Sequence, residues 1–273
     1  MTKTSMGRVA STVLAATLVL TGCATSTRPG TVGITRTQLL TVPADKVDAL
    51  ALTGYTAQNR KASEAGRLVM EGPEYDRLSR IARRLQAQVP VFRDDTKSWK
   101  WELALIDAPV VNASCAPGGK ITFYTGLIRQ LKLTDDEIAM VMGHEIAHAL
   151  REHGRERMSQ AQAKGAATTL ATVLLRTRGA EVQLADTAAH FLFILPNSRE
   201  HESEADSMGL ELAARAGYDP KASVSVWQKM TAQEKGGGKM QFLSTHPSND
   251  TRISELNAMI PKVMPLYTSA RVN

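Results

Sequence analysis

The 273-residue chain has only two cysteines, Cys23 and Cys115. If one is consumed elsewhere, no intramolecular disulfide can form, so burial must stabilise the fold. There is no run of like charge. Lys and Arg (33) are scattered among Asp and Glu (27), giving a net charge of +6. That reads as a solvated mixed surface and not as a nucleic-acid footprint. A Walker loop, a dinucleotide fingerprint, an RNA-binding signature and an internal repeat are all missing, which argues against nucleotide-driven, nucleic-acid-binding and solenoid classes. No apolar stretch makes a good membrane span. Hydrophobic content of 43% and charged content of 22% are those of an ordinary globular domain.

The N-terminus carries Lys3 and Arg8 ahead of an uncharged run from Val9 to Leu20, the layout of a secretory signal peptide. Leu20-Thr21-Gly22-Cys23 resembles the lipobox of bacterial lipoproteins, with cleavage before Cys23 and acylation of its thiol. Ala24 follows, which by the lipoprotein sorting rule points to an outer membrane and a periplasm-facing location. Cys115 is then alone, either a buried small apolar residue or a thiol for an intermolecular bond. The expected organisation is a signal peptide over 1–22, a lipidated Cys with a tether and N-terminal extension over 23–72, and one domain over 73–273. The Thr, Ser, Gly and Pro of residues 24 to about 35 read as a flexible tether.

Helical spacing of Leu78, Ile81, Ala82, Leu85 and Val89 predicts a helix over about 73–88, and strands are expected at 101–108 and 120–125. Pro117-Gly118-Gly119 marks a turn between them. Thr134 and Glu137 stand in capping-box spacing, with Asp135 and Asp136 at the positive end of the helix dipole. That helix is expected to run to about Met158. Short apolar stretches at 166–175 and 188–195 read as core helices or a mobile cover, part of a segment (160–197) that could gate a cleft. A helix holding Glu202 and Asp206 should end near Gly217, Asp219-Pro220 should start another, and a last helix capped by Ser248 should stop at Pro261.

His144-Glu145-Ile146-Ala147-His148 is the HExxH pattern. Residues four apart share a helix face, so both imidazoles can bind one metal. Glu145 follows the first ligand, where its carboxylate can act as a general base without ligating. Zinc suits nitrogen and carboxylate ligands with an open position. A surface helix could carry these five residues by chance, so a third ligand is needed. The metzincin spacing fails, with Arg151 and Gly154 where glycine and histidine are required. His153, five residues after His148, would point about 140° away on a continuous helix and reads as a surface or helix-end residue. Downstream, Glu200, Glu202 and Glu204 alternate, and two of them are expected to be solvated. Only Glu202 has an Asp four residues on. Glu202 can be the third ligand, and Asp206 can fix a ligand histidine's tautomer.

Gly143 to His148, with Glu202-Ser203-Glu204-Ala205-Asp206, resembles the HtpX and CaaX-prenyl-endopeptidase family of gluzincin metallopeptidases. Asn112-Ala113, Pro117-Gly118-Gly119, Tyr124 to Leu127, Ser244 to Pro247 and Arg252 extend the likeness over about 73–261, nearest to outer-membrane lipoprotein members of the LoiP type. The resemblance implies an α+β, mostly helical zincin-type domain with a small sheet beside the HExxH helix. It implies one zinc per chain on His144, His148 and Glu202, with Glu145 as general base and acid. Asn112 would mark the strand edge along which an extended substrate lies. His246 would stabilise the oxyanion or cap the zinc as a fourth ligand. Arg252 would do similar electrostatic work on the transition state or pair with a carboxylate. His190 and His201 read as structural. The implied function is a membrane-anchored endopeptidase acting on misfolded or stalled cell-envelope proteins, with accessory envelope proteins as possible partners. The alternative is a zinc-stabilised chaperone or assembly factor for outer-membrane proteins that seldom cuts.

Overall fold

The computed structural model describes residues 23–164, 195–237, 240–247 and 251–272. The expected signal peptide, most of the apolar cover segment, His190 and Ser248 lie outside the described residues. The chain opens with β1 (Cys23–Ala24), paired antiparallel with β2 (Gln38–Leu39), and continues into α1 (Ala44–Glu64). Next come β3 (Leu68–Val69), α2 (Pro73–Gln86), β4 (Glu102–Ile106), β5 (Ala113–Ala116) and β6 (Lys120–Tyr124). The helices α3 (Thr125–Gln130), α4 (Asp135–Leu150), α5 (His153–Ala163), α6 (Arg199–Arg215), α7 (Ala222–Lys235), α8 (Gln241–Thr245) and α9 (Arg252–Val272) complete it. The expected α+β, mostly helical architecture is observed. Among the described residues, no helix is long and apolar enough to cross a membrane.

The sheet order is β3-β4-β6-β5, with β4 parallel to β6 and the outer pairs antiparallel. Gly118 and Gly119 take the left-handed backbone that the β5–β6 turn requires. Among the described residues, the strand β5 is therefore an edge. Its neighbour α4 is buried at every position from Glu137 to Leu150, and it lies in the centre of one large core with α2, α6 and α7. Thr134 starts α4 with a complete capping box: its hydroxyl accepts from the Glu137 N–H, and the Glu137 carboxylate accepts from the Thr134 N–H. Such a cap contributes about 1 kcal/mol.

The helices α4 and α6 cross at paired glycines. A Cβ on Gly209 would sit 2.6 Å from the His144 backbone nitrogen, and one on Gly143 would sit 2.8 Å from the Gly209 carbonyl oxygen. Only two side-chain-free positions allow this approach, and it brings the Glu202 carboxylate of α6 to the histidines of α4.

Three expectations are corrected, and one helix is new. First, α4 does not run to Met158. It stops at Leu150, Glu152 adopts a left-handed backbone (φ 51°), and a new helix starts at His153. Second, the segment after Cys23 is docked and does not form a loose tether. Thr25, Thr27, Arg36 and Gln38 bond to buried charged groups of α5, α6 and Arg151. The new helix, α1, carries only Val47, Ala51, Tyr55 and Ala62 as buried positions, a stripe too thin to stand out as a helical period. Third, α9 continues through Pro261 and Pro265. Pro261 removes the bond to the Asn257 carbonyl, but both residues are exposed, so water can satisfy that carbonyl while Leu256 and Val263 hold the buried face.

Candidate metal centre

The ligand atoms of His144, His148, Glu202 and His246 all lie within 4.8 Å of one another, and all four residues are buried. The two Nε2 atoms of α4 stand 3.0 Å apart. Glu202 places Oε2 3.4 Å from His144 Nε2 and Oε1 3.3 Å from His148 Nε2. His246 Nδ1 is 3.2 Å from His144 Nε2 and 3.0 Å from Glu202 Oε1. Two imidazole nitrogens, a carboxylate and a third imidazole aimed at one point form a donor set suited to zinc. The Glu145 Oε1 atom is buried with no hydrogen-bond partner, as expected of a group whose partner is a reacting molecule and not the fold.

The neighbours of the ligands fix their protonation. Asp206 Oδ1 accepts from His144 Nδ1 at 2.9 Å, leaving the Nε2 lone pair free for a metal. Arg252 braces both carboxylates. Its Nη1 lies 2.9 Å from Glu202 Oε2, and Nε and Nη2 lie 2.6 and 2.7 Å from the two Asp206 oxygens. The guanidinium rests on Trp227, 3.5 Å from the ring centroid. Of the two readings left open for Arg252, the structure realises the carboxylate pair, and Arg252 is not among the cleft-lining residues. Of the two for His246, it realises a position among the donors. The His246 ring stacks on Phe242 at 4.4 Å, with Nε2 3.4 Å from Glu145 Oε1.

Electrostatics divides the site. Burial pushes the Glu145 carboxyl up from its ordinary range and the His148 imidazole well down. Burial opposes ionisation of Glu202 too, but His246 and His144 outweigh it and hold that carboxyl well below its usual range. His144 feels the same burial, and the Asp206 and Glu202 carboxylates override it, pushing its pKa up to about 9 in the metal-free chain. A divalent cation would replace that proton.

A cleft of about 230 Å³ opens over these groups, lined on one side by Asn112, Ala113, Ser114 and Cys115 and on the other by Arg157, Asn197 and Thr245. The Asn112 carbonyl accepts from the Tyr124 N–H and its side chain accepts from the Ala113 N–H. Alternation along an antiparallel strand then turns the backbone groups of Ala113 and Cys115 away from β6. The Cys115 thiol is buried, and burial pushes its pKa far up, the first of the two readings for it. The structure thus brings together His144, Glu145, His148 and Glu202, which the helical spacing singled out, and the strand edge at Asn112 and His246, which only the family resemblance implied.

Two residues were misjudged from sequence. His153 is buried, not superficial: the break at Glu152 starts a new helix that returns its ring to His148, with the two Nδ1 atoms 2.7 Å apart. Glu204 is not solvated. It accepts from Arg36, Arg151 and His153. Three donors from distant segments, two of them buried and Arg36 partly so, leave no local mark in the sequence beyond the unusual density of charge at 199–206.

The family model "Peptidase family M48" matches residues 76–260. The mitochondrial metalloendopeptidase OMA1 of Schizosaccharomyces pombe is 37% identical over 164 residues, 60% of this chain and 48% of that protein. Its namesake in Saccharomyces cerevisiae is 34% identical over 175 residues, covering 62% and 49%. The β-barrel assembly-enhancing protease of Yersinia pestis is 26% identical over 174 residues, covering 61% and 36%. The alignments thus span about half, or less, of these relatives. They overturn the expected outer-membrane, periplasm-facing location, since the more similar relatives are mitochondrial proteins by name.

Proposed function

The chain belongs to peptidase family M48, a family of zinc metallopeptidases, and from that premise we propose that it is an endopeptidase cutting unfolded or misassembled polypeptide laid along β5. One observation carries the reading: three imidazoles and a carboxylate converge in a cleft whose rim is an unpaired strand edge, with the buried Glu145 beside them. His144, His148 and Glu202 would hold one zinc, with His246 as a fourth donor in the resting state. When bound, the zinc supplies Lewis acidity toward the scissile carbonyl.

The chain's own groups do the rest. The Ala113 C=O and the Cys115 N–H and C=O can pair with an extended segment, while the Ala113 N–H is held by the Asn112 side chain, so recognition is independent of much of the segment's sequence. Glu145, with a raised pKa, takes a proton from the attacking water and passes it to the leaving amide nitrogen. His246, whose Nε2 stands 3.4 Å from Glu145 Oε1 while its Nδ1 is among the donors, would donate to the developing oxyanion once released from that set. Asp206, braced by Arg252, keeps His144 in its ligating tautomer. A likeness to LoiP-type members and accessory protein partners belong to the same proposal, supported by the motif set.

The test is incubation of the full chain and Glu145→Gln with an unfolded polypeptide, with and without a chelator. Chelator-sensitive cleavage by the wild type alone supports the peptidase. Equal protection from aggregation by both, without cleavage, replaces it with the chaperone.

A further inference from the structure

Behind His148 lies a buried chain of side chains that the proposed chemistry does not use. His153 Nδ1 is 2.7 Å from His148 Nδ1. His153 Nε2 lies 3.0 Å from Glu204 Oε2. Arg151 donates to both Glu204 oxygens at 3.0 and 3.1 Å, and Arg36 does so at 2.7 and 3.1 Å. The other edge of Arg36 donates to Glu156 at 2.6 and 2.8 Å. Glu156 accepts from His201, whose ring stacks on His153 at 4.3 Å. We propose that His153 and Glu204 are positioning residues that hold His148 with Nε2 bare and aimed at the metal, and that Arg36, on the N-terminal segment, locks the pair in place.

Hydrogen-bond inventory fixes the direction of the chain. Glu204, between two guanidinium groups, is an acceptor only, so His153 Nε2 carries the hydrogen that points at it. A neutral His153 then has only a lone pair at Nδ1. Two nitrogens 2.7 Å apart bond only when one of them carries a hydrogen, and that hydrogen must belong to His148 Nδ1. His148 is left with a lone pair at Nε2, the atom 3.0 Å from His144 Nε2. Asp206 does this for His144 directly. For His148 the carboxylate acts through an interposed ring, because the helix break at Glu152 puts His153 between His148 and Glu204. The outer member comes from 168 residues away in sequence, so docking of residues 25–42 is coupled to the ligand geometry.

The purpose assigned to the chain rests on the zinc-peptidase reading, and the readout is independent of cleavage. In the full chain labelled with ¹⁵N-histidine and loaded with zinc, long-range ¹H–¹⁵N spectra should show His148 protonated at Nδ1 and His153 at Nε2. A His153 protonated at Nδ1 overturns the proposal without requiring any variant to fold. By competition with a chromophoric chelator, His153→Phe should bind zinc about 10- to 100-fold more weakly. His153→Gln, which keeps one acceptor and one donor, should recover most of that loss. Arg36→Met should weaken zinc by a smaller factor in the same direction. A His153→Phe protein that melts earlier without metal yet binds zinc as the wild type does reduces His153 to a packing role and refutes the relay. A wild type that binds no zinc removes the metallopeptidase reading itself.

Discussion

Replacing Gly209 with Ala separates two physical effects of opposite sign. Gly209 is interior to α6, where Ala is favoured over Gly by about 1 kcal/mol on helix propensity. Against that, the added methyl would lie 2.6 Å from the His144 nitrogen and 2.8 Å from both the Gly143 carbonyl carbon and His144 Cα. These are backbone atoms of a fully buried helix, and no rotamer can relieve them. Carbon contacts are comfortable near 3.5–4 Å, so the helices must part by about 1 Å at the crossing. Overpacking of this kind costs roughly 1–3 kcal/mol, and here the upper part of that range applies because nothing flexible yields. The balance is a net loss of about 1–2 kcal/mol. Glu202 and Asp206 sit on α6 within two turns of the crossing, so the same displacement moves the carboxylates away from His144 and weakens zinc. A misplacement near 1 Å can cost about 100-fold in activity. Urea unfolding in the presence of a chelator reads the first effect, and zinc competition with the folded protein reads the second. A variant more stable than the wild type by about 1 kcal/mol, with unchanged zinc affinity, would show propensity acting alone and refute the close crossing.

Four further outcomes are expected. Glu145→Gln should keep its zinc and its melting temperature while losing about 100- to 10,000-fold in kcat, and comparable cleavage would remove Glu145 from the chemistry. Glu202→Ala should lose metal on dialysis, so full occupancy afterwards would strike Glu202 from the ligand set. Because burial raises the Glu145 pKa and the ionised form is the base, kcat/KM should rise with pH through a midpoint above the ordinary carboxylate range, and a profile already flat there contradicts the assignment. Burial disfavours the ionised form of Glu156, but bonds from Arg36, His201 and Gln38 hold its pKa well below the usual range. Its folded pKa is below its unfolded one, so its stabilisation is present above the ordinary carboxylate pKa and drains away as pH falls from there. Acid unfolding should therefore be shallower in Arg36→Met, which starts less stable at neutral pH.

What could be read from the sequence was what is local. The Thr134 and Glu137 pair announces its helix through contacts three residues apart, and the HExxH and Glu202–Asp206 spacings follow from the helical repeat alone. These put His144 and His148 on one helix face and Glu202 and Asp206 on another. What could not be read depends on distant partners. The break at Glu152 puts a non-glycine residue in the left-handed region, a choice stabilised by Arg93 and Arg155 near its carboxylate. Treating the helix as unbroken sent His153 to the surface. Glu204 looked like one of three alternating surface acids, because its partners Arg36 and Arg151 lie 168 and 53 residues away. The polar 24–35 segment read as a tether for the same reason: its residues bond to buried charges that composition does not reveal.

Metal analysis of the purified full chain, paired with peptide cleavage before and after chelation, bears most directly on the four converging donors. About one zinc per chain, with cleavage that stops on its removal and returns on its replacement, is the predicted result. A chain that holds no stoichiometric metal, or cuts equally well without it, contradicts the account.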